Sequence, residues 1–118
     1  MNYVDGIVCA VPAANKQKYI AYAQTFVTLF KEAGALRLVD CWADDVPDGK
    51  LTSFPMAVKR EADEVVVFSW IEWPSKEVRD QAWKKLMDDP RMQPGPDNPK
   101  PYDGKRMIYG GFQMIVQG

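Results

Sequence analysis

The chain contains no histidine among its 118 residues, although histidine is a frequent general base and metal ligand. This absence excludes Ser/His/Asp and Cys/His catalytic arrangements, haem with a proximal histidine and the common zinc sites. A haem enzyme would need tyrosine, cysteine or methionine as the axial ligand. We therefore expect no metal and no bound cofactor.

The sequence also lacks an excess of charge of one sign. Fifteen Lys and Arg residues face sixteen Asp and Glu residues, which gives a net charge of −1. Nucleic acids and anionic membranes attract proteins through clustered positive charge. We therefore expect neither a nucleic-acid partner nor a membrane partner.

Long hydrophobic runs are missing as well. The longest, from Val65 to Ile71, has seven residues, whereas a membrane span needs about 20. The first residues do not have the basic and apolar pattern of a signal peptide, so we expect a cytoplasmic protein with reduced thiols. The two cysteines, Cys9 and Cys41, lie in apolar runs, which predicts small side chains in the core.

The residues that are present indicate an α+β protein. With 47% hydrophobic and 26% charged residues, the chain has the composition of one globular domain over residues 1–118. The apolar periodicity predicts strands over 3–11, 35–43, 64–73 and 105–116 and helices over 15–33 and 75–89. A loop with one helical turn at 53–57 is expected within 51–63, and a stiff surface loop over 90–101. Gly110 and Gly111 predict a bulge or a close approach in the last strand.

The order β-α-β-β-α-β predicts a ferredoxin-like sandwich. In that fold the third strand separates the first two by about 9.6 Å in total, too far for a disulfide between Cys9 and Cys41. Two helices cover one face of the sheet, yet the strands are apolar on both faces. We therefore predict a homodimer with the sheets packed face to face, which buries about 1,200–2,000 Å².

Charged residues inside predicted strands mark candidate site positions, because a buried charge needs a partner or a function. One interpretation is a polar pocket roofed by the loop over 44–63. In that pocket Asp40 or Glu72 acts as a carboxylate base, Arg37 and Arg106 hold an anionic or enolate substrate, and Trp42, Trp70 and Tyr109 form the walls. Asp40 and Glu72 are each expected to approach a basic residue on a neighbouring strand. The alternative interpretation is structural ion pairs at strand ends and at the dimer interface.

Five stretches carry a resemblance to a known family: GALRLVDCW (34–42), DDVPDGKLTSFPMAVK (44–59), VVFSWIEWPS (66–75), DDPRM (88–92) and YDGKRMIYGGF (102–112). They resemble the YbaA-like bacterial family of unknown function in the dimeric α+β barrel superfamily. The resemblance implies a dimeric barrel and no particular activity. Labels that connect some members with signal-recognition-particle RNA do not fit the near-neutral charge.

Two functions remain open at this point. The first is the binding of a small molecule in a cleft of a homodimeric α+β barrel. The alternative is a metal-free enzyme, monooxygenase-like or isomerase-like, that acts on a small aromatic or enolisable substrate. Membership of a versatile superfamily does not decide between them.

Overall fold

The computed structural model describes residues 2–93, 95 and 99–118. These residues form four strands and three helices: β1 (Tyr3–Pro12), α1 (Lys16–Glu32), β2 (Arg37–Trp42), α2 (Phe54–Ala57), β3 (Glu64–Trp73), α3 (Lys76–Met87) and β4 (Ile108–Gln113). Short 3-10 turns lie at Ala13–Asn15, Pro90–Met92 and Gly104–Arg106. No helix in the described ranges is long and apolar enough to cross a membrane.

The strands form one antiparallel sheet in the order β2-β3-β1-β4. The predicted α+β class and the predicted separation of the first two strands are therefore confirmed. Cys9 on β1 and Cys41 on β2 are both free thiols, as expected. Cys9 is buried, but Cys41 is exposed, because β2 is an edge strand, so its predicted place in the core is wrong.

Local capping explains where the helices begin and end. The Ser75 hydroxyl accepts a hydrogen bond from the Val78 N–H at 3.2 Å and starts α3. Ser53 caps α2 in the same way through the Met56 N–H at 3.1 Å, which confirms the predicted helical turn. After α1, Gly34 has a φ of 116°, a conformation that glycine adopts readily at the end of a helix.

The last strand is shorter than predicted. The Asp103 carboxylate accepts a hydrogen bond from the Lys105 N–H at 3.0 Å, which starts a 3-10 turn over residues predicted as strand. The pairing of β1 with β4 runs unbroken from Tyr3 opposite Gln113 to Val8 opposite Ile108, so the predicted bulge is absent. The close approach does occur, because the Tyr3 ring packs directly on Gly111.

The proline-rich segment over 90–101 is described only in part. Pro90–Met92 forms a 3-10 turn that is capped by the Asp89 carboxylate. Residues 94 and 96–98 lie outside the described residues, so the prediction of a stiff loop is not tested there.

Helices α1 and α3 pack on one face of the sheet, here termed the helix face. Its largest cluster of buried side chains combines both helices with β1 and β3: Tyr3, Leu29, Phe30, Ala35, Ile71, Trp73, Ala82 and Leu86. A second cluster on this face consists of Cys9, Val11, Tyr19 and Val67. These side chains come from alternate strand positions, as a half-covered sheet requires.

The opposite face, here termed the outer face, is covered only at one end. Val58 and the residues around it pack on Val8, Ala10 and Val66. Residues 43–63, here termed the roof segment, therefore cover the end of the sheet near Ala10 and Val66. The remaining end, here termed the open end, has three rows of residues across the four strands: Arg37, Glu72, Val4 and Phe112, then Val39, Trp70, Gly6 and Gly110, then Cys41, Phe68, Val8 and Ile108. In the last of these rows Val8 is already covered by the roof segment.

Candidate functional site

A cleft of about 300 Å³ lies between the roof segment and the outer face. Its apolar side chains come from β3 and the roof segment: Val46, Phe54, Val66 and Phe68. The rings of Phe54 and Phe68 meet edge to face with centroids 5.9 Å apart, and Phe68 continues to Trp70 at 5.8 Å. The cleft is therefore an aromatic recess that opens toward the uncovered part of the sheet.

Two lining residues bring polar groups to this recess. Cys41 contributes an exposed thiol. Asp44, at the start of the roof segment, contributes the only charged side chain among the described residues that line the cleft. The sequence offered a signal for both, because Cys41 and Asp44 flank a strand end that leads into a dense group of turn-forming residues.

Arg106 fixes the base of the roof segment. Its guanidinium donates to both carboxylate oxygens of Glu64 at 2.6 Å and to the backbone oxygen of Lys59 at 2.8 Å. The hydrogen bonds from Arg106 lower the pKa of Glu64, so this carboxylate stays ionised. Arg106 was predicted to hold a ligand. In the structure its N–H groups instead donate to Glu64 and to the backbone oxygen of Lys59.

A second arginine secures the middle of the roof segment. Arg60 donates from Nη1 to the backbone oxygen of Glu64 at 2.9 Å, and its Nη2 lies 3.7 Å from the Asp48 carboxylate. Arg60 and Asp48 line a smaller hollow of about 170 Å³ that adjoins the main cleft. The base of the roof segment is therefore polar, while its cleft side is apolar.

The predicted polar pocket is not formed within the chain, because its residues divide between the two faces of the sheet. Asp40, Trp42 and Tyr109 occupy strand positions of the helix face, whereas Arg37, Trp70 and Glu72 occupy positions of the outer face. Side chains along a strand alternate between faces, so neighbouring strands can share a pocket only at matching positions. Of these residues, Trp42 borders the cleft at the end of β2, although it packs against the helix-face cluster around Cys9 and Tyr19.

Asp40 has hydroxyl partners in place of the basic partner that the sequence suggested. Its Oδ1 accepts hydrogen bonds from the Tyr19 hydroxyl at 2.7 Å and from Ser69 Oγ at 2.5 Å. The strand register places Ser69 directly opposite Asp40, which explains the difference. This carboxylate is thus oriented by α1 and β3 on the helix face, away from the cleft.

Glu72 does have the expected basic neighbour. The register places it opposite Arg37, and the Arg37 Nε lies 3.8 Å from Glu72 Oε2. The same oxygen accepts a hydrogen bond from Trp70 Nε1 at 2.9 Å. These three residues lie at the open end of the outer face, not in the cleft.

A buried group around Asp5 was not predicted as a unit. The Asp5 carboxylate is 4% exposed and accepts hydrogen bonds from Trp73 Nε1 at 2.8 Å, Trp83 Nε1 at 3.0 Å and Arg79 Nη2 at 2.7 Å. The spacing of four between Arg79 and Trp83 places both on one face of a helix, which was the available signal. The donors from Trp73, Trp83 and Arg79 satisfy the Asp5 carboxylate, so these contacts link α3 to the sheet.

Cys9 lies beside Tyr19 in the buried part of the helix face. Burial, together with the nearby Asp40 carboxylate, raises the pKa of the Cys9 thiol to about 12. Burial also raises the pKa of the Tyr19 hydroxyl. Both groups therefore stay protonated near neutral pH, and Cys9 is not a reactive thiolate.

The described fold and cleft define an α+β protein whose four-stranded antiparallel sheet is roofed on one side by a short helical segment. The sequence matches, over residues 2–104, the family described as "Protein of unknown function (DUF1428)", and the chain belongs to that family. It is 62% identical over 116 residues to "Uncharacterized protein YbaA" of Escherichia coli K12, and the match covers 98% of both chains. The YbaA protein of Shigella flexneri matches to the same extent. The predicted resemblance to YbaA-like proteins is thus confirmed.

Proposed function

We propose that this protein is a homodimer that binds a small molecule in the cleft beneath the roof segment. The single observation that carries the proposal is the aromatic cleft itself, which lies on an otherwise uncovered sheet face. In this proposal each ferredoxin-like protomer contributes its outer face to a dimeric α+β barrel. The second copy covers the open end and leaves the roof segment at the edge of the interface.

Exposed apolar side chains support the dimer. Phe68, Ile108 and Phe112 all face outward and are 42%, 43% and 59% exposed. Phe68 lies on β3 and the other two lie on β4, all on the same face, and Val4 of β1 lies between these two strands, so they form a continuous surface. Contiguous apolar surface of this kind is typical of protein interfaces.

The dimensions of the protomer support the same conclusion. Its accessible surface is 7983 Å², whereas a compact monomer of this mass exposes about 6,500 Å². Its radius of gyration is 14.9 Å, against about 13.5 Å for a compact chain of this length. The additional surface exceeds the roughly 800 Å² that each partner contributes to a standard interface.

The lining of the cleft supports a binding function. Small-molecule sites are concave, mostly apolar and about 300–1,000 Å³ in volume, and this cleft is at the lower end of that range. The enzyme alternative assigns the chemistry to Asp40 or Glu72. Because Asp40 lies on the helix face and Glu72 at the open end, the geometry favours binding over that alternative.

The dimer is tested by native mass spectrometry with two matched variants. We expect a mass of twice 13.4 kDa for the wild-type protein. Ile108→Asp places a charge on the outer face and should yield monomers, whereas Tyr109→Asp places the same charge on the helix face of the same strand and should remain dimeric. A monomeric wild-type protein at micromolar concentration would overturn the proposed dimer.

The cleft is tested by ligand-observed NMR with naphthalenemethanol, a small aromatic probe. Val46→Trp fills the cleft and should abolish binding. Leu51→Trp adds the same ring to a fully exposed position of the roof segment and should leave binding intact. Equal binding by the wild-type protein and both variants would show that the probe does not occupy this cleft. A constant extra mass on the purified dimer would reveal a natural ligand directly.

A further inference from the structure

We infer that the cleft selects ligands in which a positive charge adjoins an aromatic or apolar group, and that Asp44 sets this selectivity. The inference rests on the proposed function, because it names the class of ligand for the same cleft. It requires no covalent step. It depends on the charges and rings that surround the recess.

The charge at the cleft is negative. Asp44 is the only residue of a charged type among the described residues that line it, and the others are apolar apart from Cys41. The ion pairs found in the described part of the chain do not include Asp44. A cationic group in the cleft would therefore meet a carboxylate that has no competing basic partner there.

The arginine of the adjoining hollow is already engaged. Asp44 and Arg60 both line that hollow, but Arg60 donates to the backbone oxygens of Glu61 and Glu64 and faces Asp48 at 3.7 Å. Between positions 44 and 63 the sequence has five acidic and three basic residues. The roof segment therefore offers an anion little compensation for the repulsion from Asp44.

The rings of the cleft favour the same class of ligand. The face of an aromatic ring attracts a cation that lies within about 6 Å of its centroid. Phe54 and Phe68 meet edge to face and are 49% and 42% exposed, so part of their ring surface is accessible. A contact of this kind occurs elsewhere in the protein, on the helix face, where Lys16 Nζ lies 5.5 Å from the centroid of Trp42.

Together these features describe the ligand. An apolar or aromatic body fits against Phe54, Phe68 and Val66, and an ammonium group reaches the Asp44 carboxylate at the start of the roof segment. Primary amines, substituted amines and quaternary ammonium groups all satisfy this description. A carboxylate or phosphate on the same body would lie next to Asp44 without a basic lining residue to offset it.

The experiment compares three naphthalenes with the same ring and different substituents: naphthylmethylamine as the cation, naphthalenemethanol as the neutral compound and naphthoate as the anion. Their dissociation constants are measured by titration calorimetry near neutral pH in low salt. We expect the cation to bind about three- to tenfold more tightly than the neutral compound and the anion to bind more weakly than either. Added salt should reduce the preference for the cation.

Two variants assign the preference to one carboxylate. Asp44→Asn removes the charge with little change of shape and should bring the affinities for cation and neutral compound to about the same value. Asp45→Asn, at the neighbouring position that does not line the cleft, should retain the wild-type ratio. Binding of the neutral compound to Asp44→Asn shows that this variant is folded.

The outcomes separate the inference from the proposed function. If none of the three compounds binds the wild-type protein, the cleft is not a site for small aromatic molecules and both proposals fail. If the neutral compound or the anion binds as tightly as the cation, the cleft remains a site but the charge selectivity is wrong. Equal effects of Asp44→Asn and Asp45→Asn would overturn the assignment to Asp44.

Discussion

Each face of the sheet carries a carboxylate that accepts hydrogen bonds from indole N–H groups, but the number of partners differs between the two faces. On the helix face, Asp5 accepts hydrogen bonds from two indoles and from Arg79 and is almost fully buried. On the outer face, Glu72 accepts one indole hydrogen bond from Trp70 and has Arg37 at 3.8 Å. The Glu72 side chain is 25% exposed.

This difference follows from what covers each face. Two helices cover the helix face, so its charged groups are buried and must find their partners within the chain. The roof segment covers only one end of the outer face, so Glu72 keeps contact with water and needs fewer partners. In the proposed dimer, the open end is therefore the part of the protein whose environment changes most.

The largest difference between the two faces is expected in the reactivity of their thiols. Cys9 is 1% exposed on the helix face and its pKa is raised to about 12, whereas Cys41 is exposed on the outer face. At about pH 8 the Cys9 thiolate population should be roughly a thousandfold below that of an ordinary thiol. In the Ile108→Asp background, which should be monomeric, alkylation followed by peptide mass spectrometry should therefore label Cys41 and leave Cys9 unmodified.

The Cys41→Ser variant isolates the buried thiol. It should resist alkylation when folded and react readily in concentrated urea. Rapid labelling of Cys9 in the folded variant would show that the helix face opens far more easily than the structure indicates.

The next largest effect concerns the buried carboxylate of the helix face. Asp5→Ala leaves Arg79 and two indole N–H groups without their shared acceptor, which should lower the free energy of unfolding by about 3–5 kcal/mol. Urea denaturation at fixed protein concentration measures this loss. Asp80→Ala removes an exposed carboxylate that contacts the same arginine and should cost much less. Equal losses would contradict the role assigned to Asp5.

Substitution of Glu64, at the roofed end of the outer face, should lower the stability less than substitution of Asp5 and more than substitution of Glu72. Its pKa is lowered mainly by hydrogen bonds from Arg106. A lowered pKa stabilises the folded state above the ordinary pKa of glutamate, and this contribution is lost as the pH falls through the folded-state value. Glu64→Gln should therefore lower the urea midpoint near pH 7.

The difference between the wild-type protein and Glu64→Gln should shrink as the solution is acidified below about pH 4.5, near the ordinary pKa of glutamate. Urea titrations at several pH values measure both midpoints. A difference that stays constant down to the most acidic condition would mean that the charge of Glu64 does not hold the roof segment.

The smallest effect is expected at the open end. In the Ile108→Asp background, which should be monomeric, Glu72→Gln should lower the free energy of unfolding by less than about 1 kcal/mol, because the ion pair is partly solvated. Urea denaturation of the two proteins measures the change. A loss as large as that of Asp5→Ala would remove the distinction between the faces.

The fold could be predicted because its determinants are local. Runs of β-branched and apolar residues that end at a proline identified β1 and β3, a spacing of three and four identified α1, and Ser53 and Ser75 marked the starts of α2 and α3. The start of β4 was mispredicted because Asp103 caps a turn immediately before it. Alternation alone does not show such a competing side-chain hydrogen bond.

The site was harder to predict because it depends on strand register. A shift of one residue moves every side chain of a strand to the other face, and periodicity within β2 and β3 leaves that shift open. The sequence therefore could not show that Asp40 faces Ser69 while Glu72 faces Arg37 on the opposite side. Likewise, nothing local connects Arg106 with Glu64, 42 positions earlier.

The contact between Tyr3 and Gly111 has a consequence for how this chain can change over generations. A methyl group at position 111 would overlap the Tyr3 ring, and the Arg79 guanidinium lies 5.4 Å from the centroid of that same ring. A closely packed contact leaves little room for adjustment. A lineage that acquires a side chain at position 111 must therefore accept a smaller one at position 3, and we expect the two positions to be inherited as a pair.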